Sequence, residues 1–176
     1  MGAETASIFF LRLVNAKGIG GERGLSMDEK QILNKLNWFY SLELNQVGLY
    51  KAQSKYVEDI YVRKVLERAV DIEQQHVDNI AAQIRARDGE PTSLGDVIAP
   101  LMGKTSGNIV SWLGLVPALK ANIMLEQKAM SDYKDFILQI GEDYELFNLL
   151  WSHLIDEDFH TSWFHSKVQE IEDSIK

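Results

Sequence analysis

The sequence contains no cysteine. That absence excludes disulfides, thiolate zinc sites, iron–sulfur clusters and rubredoxin-type irons together, so any bound metal must be held by Glu, Asp and His. Positive charge is scarce: 18 Lys and Arg stand against 26 Asp and Glu, for a net charge of −8. The acidic residues are spread along the chain rather than gathered in a tail. Nucleic acid and anionic membranes both require a basic patch, which this balance argues against, so no nucleic-acid partner is expected. Long apolar runs are missing too. No stretch approaches the roughly 20 residues that span a bilayer. The run from Ile8 to Val14 contains Arg12, follows Glu4 and is too short for a secretory signal. A cytoplasmic protein is the expectation.

What is present is ordinary in amount and unusual in arrangement. The 176 residues, 45% of them apolar, suit one globular domain with a sizeable core. Residues 1–25 end in a stretch rich in glycine (Gly18, Gly20, Gly21, Gly24) and read as a tail or short docked segment. The domain proper then spans 26–176. Ser26 stands three residues before Glu29, a capping-box pattern that predicts a helix start. From there Ile32, Leu36, Phe39, Tyr40, Glu43, Val47 and Tyr50 recur at helical spacing, to an end near Tyr56. A second helix is predicted from about Glu58 and Asp59, with Leu66, Glu73, His76, Ile80 and Ile84 on one face and a stop at Gly89 and Pro91.

Residues 90–116 break the pattern. They hold too many glycines and prolines for one long helix, yet they are too apolar for a solvated linker. Short helical pieces laid against the domain are the expectation. Pro117 suits the first turn of a third helix carrying Ile123, Glu126, Met130, Tyr133 and Ile137, ending at Gly141. A fourth helix is predicted from near Asp143 to the C-terminus, with Leu150, His153, Glu157, His160 and Phe164 along one face.

Four features on these stripes carry chemistry. Glu73-x-x-His76 and Glu157-x-x-His160 each place a carboxylate and an imidazole on one helix face, where the pair can bind one metal ion. Glu43 and Glu126 are lone carboxylates in mid-stripe, and a buried charge there is costly without a partner. Each is followed seven residues on by a tyrosine, Tyr50 and Tyr133, so the chain reads as two copies of a helix pair. Two helices giving one Glu each and two giving Glu-x-x-His form the ligand set of a di-metal carboxylate four-helix bundle. The fold class expected is therefore all-α, an antiparallel four-helix bundle with a long crossover between helices two and three.

Four carboxylates are neutralised by two divalent ions. The oxygen-rich set with two imidazoles suits two Fe ions, with Mn or mixed Fe/Mn as alternatives and Zn a poorer match. Glu43, Glu73 and His76 are assigned mainly to one metal and Glu126, Glu157 and His160 to the other, with Glu73 and Glu157 as candidate bridges. Tyr50 and Tyr133 are either hydrogen-bond donors or redox phenols at the site, or simply packed. Asp156 precedes a ligand and is placed to orient His76 across the bundle, whereas the matching slot for His160 is occupied by Ile72. His153 either lines the site or is a partly exposed side chain, and His165 falls off the stripe.

With these six ligands placed, the chain resembles the ferritin-like di-iron superfamily over about residues 30–170. It is similar in particular to the demethoxyubiquinone hydroxylase family: in ELNQVGLYKAQ with Glu43, Tyr50 and Gln53, in EQQH, in Pro91-Thr92-x-Leu94, and in Glu126 with Tyr133. The lead-in to Glu43 departs from that family's His-Ala-Gly-Glu. Bacterioferritins and rubrerythrins are the next most similar. The resemblance implies an oxidoreductase activating O2 or H2O2 with an external electron donor, in the leading reading a monooxygenase of a quinone-like or other small apolar substrate. It also implies a homodimer and an apolar crossover serving as substrate channel, membrane-surface contact or simple cap. The alternatives are a peroxide reductase or ferroxidase, and a non-catalytic iron-storage or metal-stabilised binding protein.

Overall fold

The computed structural model describes residues 27–98 and 114–175. The predicted N-terminal segment and most of the connection, including its predicted short helical pieces between 99 and 113, lie outside those residues. The described chain forms four helices, α1 (Glu29–Tyr56), α2 (Ile60–Arg85), α3 (Leu115–Ile137) and α4 (Tyr144–Ser174). No strand occurs among the described residues.

Three of the four helices begin on an aspartate that captures otherwise unpaired backbone N–H groups. Asp59 accepts from Tyr61 N at 2.8 Å and Val62 N at 3.1 Å, and Asp143 accepts from Leu146 N at 3.0 Å. At α1 the capping box is Asp28 with Gln31, at 2.8 and 2.9 Å, and not the predicted Ser26 with Glu29. The two patterns overlap in sequence, and the one with an aspartate cap is used. α3 starts after Gly114, with Pro117 in its first turn, and ends at Ile137 rather than running to Gly141, which turns the chain at φ 70°. After α2, Gly89 donates to Ile84 O at 3.0 Å. A Cβ on Gly89 would lie 2.7 Å from Leu33 Cδ2 and 3.2 Å from Ile84 O, so a larger residue there would have to push the Leu33 side chain aside.

Cross-helix pairs fix the topology. Glu43 meets Tyr133 and Tyr50 meets Glu126, so α1 and α3 run antiparallel. Gln83 with Glu145 and His76 with Asp156 make α2 antiparallel to α4. Since α1 and α2 form a hairpin, α2 and α3 point the same way, and the connection between them must travel the length of the bundle. The four apolar stripes meet in a single core around Leu36, Phe39, Leu66, Ile80, Phe136 and Phe164, each at most 1% exposed. None of the described helices is long and apolar enough to cross a membrane.

The start of the connection, residues 92–98, contains no helix and is fastened along α1 by three polar side chains spaced one turn apart. Asn37 Oδ1 accepts from Thr92 N, Ser41 Oγ from Leu94 N, and Asn45 Oδ1 from Val97 N, at 2.6, 2.8 and 2.7 Å. Asn45 also accepts from Ile98 N at 3.4 Å and donates to Gly95 O at 3.2 Å. Val97 and Ile98 are thereby held in the core, 9% and 3% exposed. Asn45→Ala should lower unfolding free energy by about 1–3 kcal/mol through these unpaired backbone groups, measured by urea titration; an unchanged midpoint would show that the segment is held by other contacts.

Candidate metal centre

The inward stripe of each helix delivers its carboxylate to the middle of the bundle. Glu43, Glu73, Glu126 and Glu157 are 0% exposed, His76 2% and His160 8%. His76 Nδ1 lies 3.2 Å from Glu73 Oε2, 3.4 Å from Glu157 Oε1 and 3.8 Å from Glu43 Oε2. His160 Nδ1 lies 3.0 Å from Glu73 Oε1 and 3.5 Å from both Glu126 Oε1 and Glu157 Oε2. Glu73 and Glu157 therefore each turn one oxygen to one imidazole and the other oxygen to the second.

The candidate ligand atoms fall into two groups, Glu43, Glu73, His76 and Glu157, and Glu73, Glu126, Glu157 and His160, each within 4.8 Å across. Atoms bound about 2.1 Å from one ion in tetrahedral or octahedral geometry lie about 3.0–3.4 Å apart, close to the spacings found. The inward atoms are also the ones without hydrogen-bond partners: Glu43 Oε2, both oxygens of Glu73 and of Glu157, and Nδ1 of both histidines. Buried polar atoms are rarely left unpaired, and a cluster of them converging on two points fits a pair of metal ions.

Surrounding groups orient these side chains. Tyr133 OH donates to Glu43 Oε1 and Tyr50 OH donates to Glu126 Oε1, so each tyrosine reaches across to the carboxylate of the other helix pair. Gln46 Nε2 donates to Glu126 Oε2 at 2.9 Å; the sequence offered no signal for it beyond its position one turn after Glu43. Asp156 Oδ2 lies 3.1 Å from His76 Nε2, which fixes the proton there and points the Nδ1 lone pair inward. His160 Nε2 has no hydrogen-bond partner, consistent with Ile72 in the matching slot.

His153 is 1% exposed, so the partly exposed alternative is wrong. Four residues before Glu157, it shares that residue's inward face. Its ring stacks on His76 at 3.9 Å, and its Nδ1 lies 3.2 Å from the Tyr133 hydroxyl, whose own proton goes to Glu43. It belongs to neither ligand group. His165 is exposed, away from the site.

Burial, then repulsion from Glu157, raises Glu43 well above an ordinary carboxylic acid and Glu126 to about 8. Burial also opposes charge on Glu73 and Glu157, but the imidazoles of His160 and His76 beside them, and for Glu157 first the carboxyl of Glu126, hold both below the ordinary value. Burial opposes charge on the two imidazoles as well, and the carboxylates facing them, led by Asp156 for His76 and Glu126 for His160, raise both above the ordinary 6.5. His153 is pushed down to about 2 by burial and by the charge on His76. The directions of these shifts favour protons on Glu43, Glu126 and both imidazoles when no metal is bound, which brings the six side chains towards neutrality. Two divalent ions with four carboxylates and two neutral imidazoles would be neutral as well, so binding two such ions would release protons.

A family model described as Ferritin-like domain matches residues 33–174. The chain belongs to the ferritin-like domain family. This ferritin-like chain is similar in fold to the Desulfovibrio desulfuricans bacterioferritin, a structure whose diiron site is described in different catalytic states, at TM-score 0.70 and 18% identity over 82% of each chain. It is also similar to the dodecameric thioferritin of Bacteroides fragilis, a bacterioferritin-related protein, at TM-score 0.68 and 21% identity over 85% of this chain and 92% of that one. No curated protein matches its sequence.

The raised groups set a pH test. Above the ordinary values of 4.5 and 6.5 the unfolded chain releases the Glu126 and His160 protons, whereas the folded, metal-stripped chain keeps the Glu126 proton up to about 8 and that of His160 higher still. Folded protein then binds more protons than unfolded, so stability falls as pH rises. In chelator, the melting temperature should drop from about pH 6 to pH 9, and metal should reverse the trend; a flat or rising profile in chelator contradicts this protonation pattern.

Proposed function

We propose that the protein is a di-iron carboxylate oxidoreductase working with dioxygen or hydrogen peroxide and an external electron donor. The observation that carries this reading is the division of Glu73 and Glu157, one oxygen towards each imidazole. Glu43 and His76 would hold one ion, Glu126 and His160 the other, and Glu73 and Glu157 both. Two irons there would supply one-electron redox steps and open coordination positions; manganese is the alternative metal. The diiron site named for the similar bacterioferritin supports this choice.

The chain's own residues do the rest. The apolar core excludes bulk water from the carboxylates, strengthening their hold on a cation. Tyr50 and Tyr133 each keep a proton directed at a ligand oxygen, their ionisation opposed by burial and by Glu126 and Glu43 respectively. Asp156 holds the His76 ring in its binding tautomer.

A ferroxidase or peroxide reductase of bacterioferritin or rubrerythrin type uses the same ligands. A monooxygenase acting on a quinone-like or other apolar substrate is a second reading. It is favoured by the apolar start of the connection, fastened alongside the helix that bears Glu43.

Metal titration of stripped protein should give two Fe(II) or Co(II) per chain with release of about four protons at pH 7. Glu73→Ala and Glu157→Ala should each abolish binding of two ions, and Asp156→Asn should weaken one of the two sites by about 10–100-fold. A variant at Glu73 or Glu157 that still binds two overturns the ligand assignment. Uptake of O2 and of H2O2 by the reduced, iron-loaded protein, with and without a quinone, separates the reactions. Quinone-dependent O2 uptake marks a hydroxylase, and rapid H2O2 loss without quinone marks a peroxide reductase. Absence of iron-dependent uptake of either oxidant overturns the proposal.

A further inference from the structure

The outer face of α4 carries a ridge of large apolar side chains that the bundle does not use. Trp151, Ile155 and Phe159 follow one another at four-residue spacing and are 36%, 49% and 68% exposed. Scattered exposed apolar residues are ordinary, but a contiguous set marks a contact surface. The ridge continues at both ends into half-buried aromatics: Phe147 lies 6.3 Å from Trp151, and Trp163 lies 6.0 Å from the exposed Tyr61 of α2. We propose that this ridge is a self-association face and that a second copy of the chain covers it.

The pattern about Ile155 is self-complementary. Under a two-fold axis beside Ile155, each residue faces the one as far on the other side of 155. Trp151 then meets Phe159 of the second copy, Ile155 meets Ile155, and Asp158 meets Ser152 rather than another acid. An isologous interface requires that kind of pairing. Residues at four-residue spacing form a ridge inclined to the helix axis, and two such ridges interlock when the helices cross at about 50°. At that angle contact centres on Trp151, Ile155 and Phe159, with Asn148 and Ser162 as an uncharged polar rim.

Charge argues against lipid as the occupant. No Lys or Arg occurs on α4 between Tyr144 and Ser166, while Asp158 is exposed on the ridge's flank, so the helix that carries the ridge offers no cation to anionic headgroups. The three apolar side chains expose on the order of 300 Å² in total, the central part of an interface that usually needs about 800 Å² per partner. An interface of that size suits reversible association rather than a permanent dimer.

The lack of native cysteine makes the test direct. Sedimentation of wild type should show a mass rising to an even number of chains by tens of micromolar, with Phe159→Lys shifted to half that mass or less and its melting temperature unchanged. Ile155→Cys should cross-link to itself under mild oxidation, whereas Met124→Cys, exposed on α3, should not. Wild type that stays monomeric, or an assembly that Phe159→Lys leaves intact, overturns the proposal. So does a Phe159→Lys protein of unchanged mass but lowered melting temperature, which would assign the cover to the chain's own residues. Binding of monomeric wild type to neutral phosphatidylcholine vesicles, lost in Phe159→Lys, would assign the face to lipid and equally overturn it.

Discussion

Four carboxylates enclosed in an apolar bundle must be neutralised, and the rest of the structure answers to that constraint. Burying even one unpaired carboxylate carries a penalty of several kcal/mol, and Glu43, Glu73, Glu126 and Glu157 all sit at 0% exposure within reach of one another. Two imidazoles, shared protons, two tyrosine hydroxyls and Gln46 compensate part of this. What they leave is a set of inward oxygen and nitrogen atoms with no partner, gathered around two points. Divalent cations are the chemistry that would satisfy such atoms, and their binding would then add to folding stability.

The internal repeat explains both the symmetry of the site and where it ends. Glu43 with Tyr133 and Glu126 with Tyr50 are reciprocal bonds between corresponding positions of the two helix pairs. Around them the halves diverge. Gln46 corresponds to Ala129, Asp156 to Ile72 and His153 to Ala69, so one histidine is anchored and stacked while the other is not. Further out, Phe39 stacks near Phe136, whereas the corresponding Gln53 and Asn122 exchange two hydrogen bonds of 2.8 Å. The scaffold is duplicated, and its surroundings are specialised on each side.

The helices and the convergence of six side chains were legible in the sequence for one physical reason. A glutamate or histidine in register with a buried stripe is too expensive to occur six times without a shared partner, and all six such residues converge. Asp156 was legible because its position beside a ligand puts it opposite His76. Residues whose role depends on a particular neighbour were not. Gln46 looks like any polar helix residue, and Asn37, Ser41 and Asn45 look like a solvated face although they hold the 92–98 segment. The capping residue of α1 was misplaced because Ser26-Glu29 and Asp28-Gln31 overlap. His153 was left half-exposed as one alternative because a histidine four residues before a ligand gives no sign of the ring stacking that buries it. The choice between hydroxylase and ferroxidase depends on substrate access along the connection, which local spacing does not encode.

The central claim is that these six side chains hold two metal ions between Glu73 and Glu157. Anomalous diffraction from crystals of iron-loaded protein, collected at the iron edge, tests it most directly. The account predicts two peaks per chain, both in contact with Glu73 and Glu157, one bound to His76 and Glu43 and the other to His160 and Glu126. A single peak, peaks confined to the acidic surface, or no peak inside the bundle would contradict it.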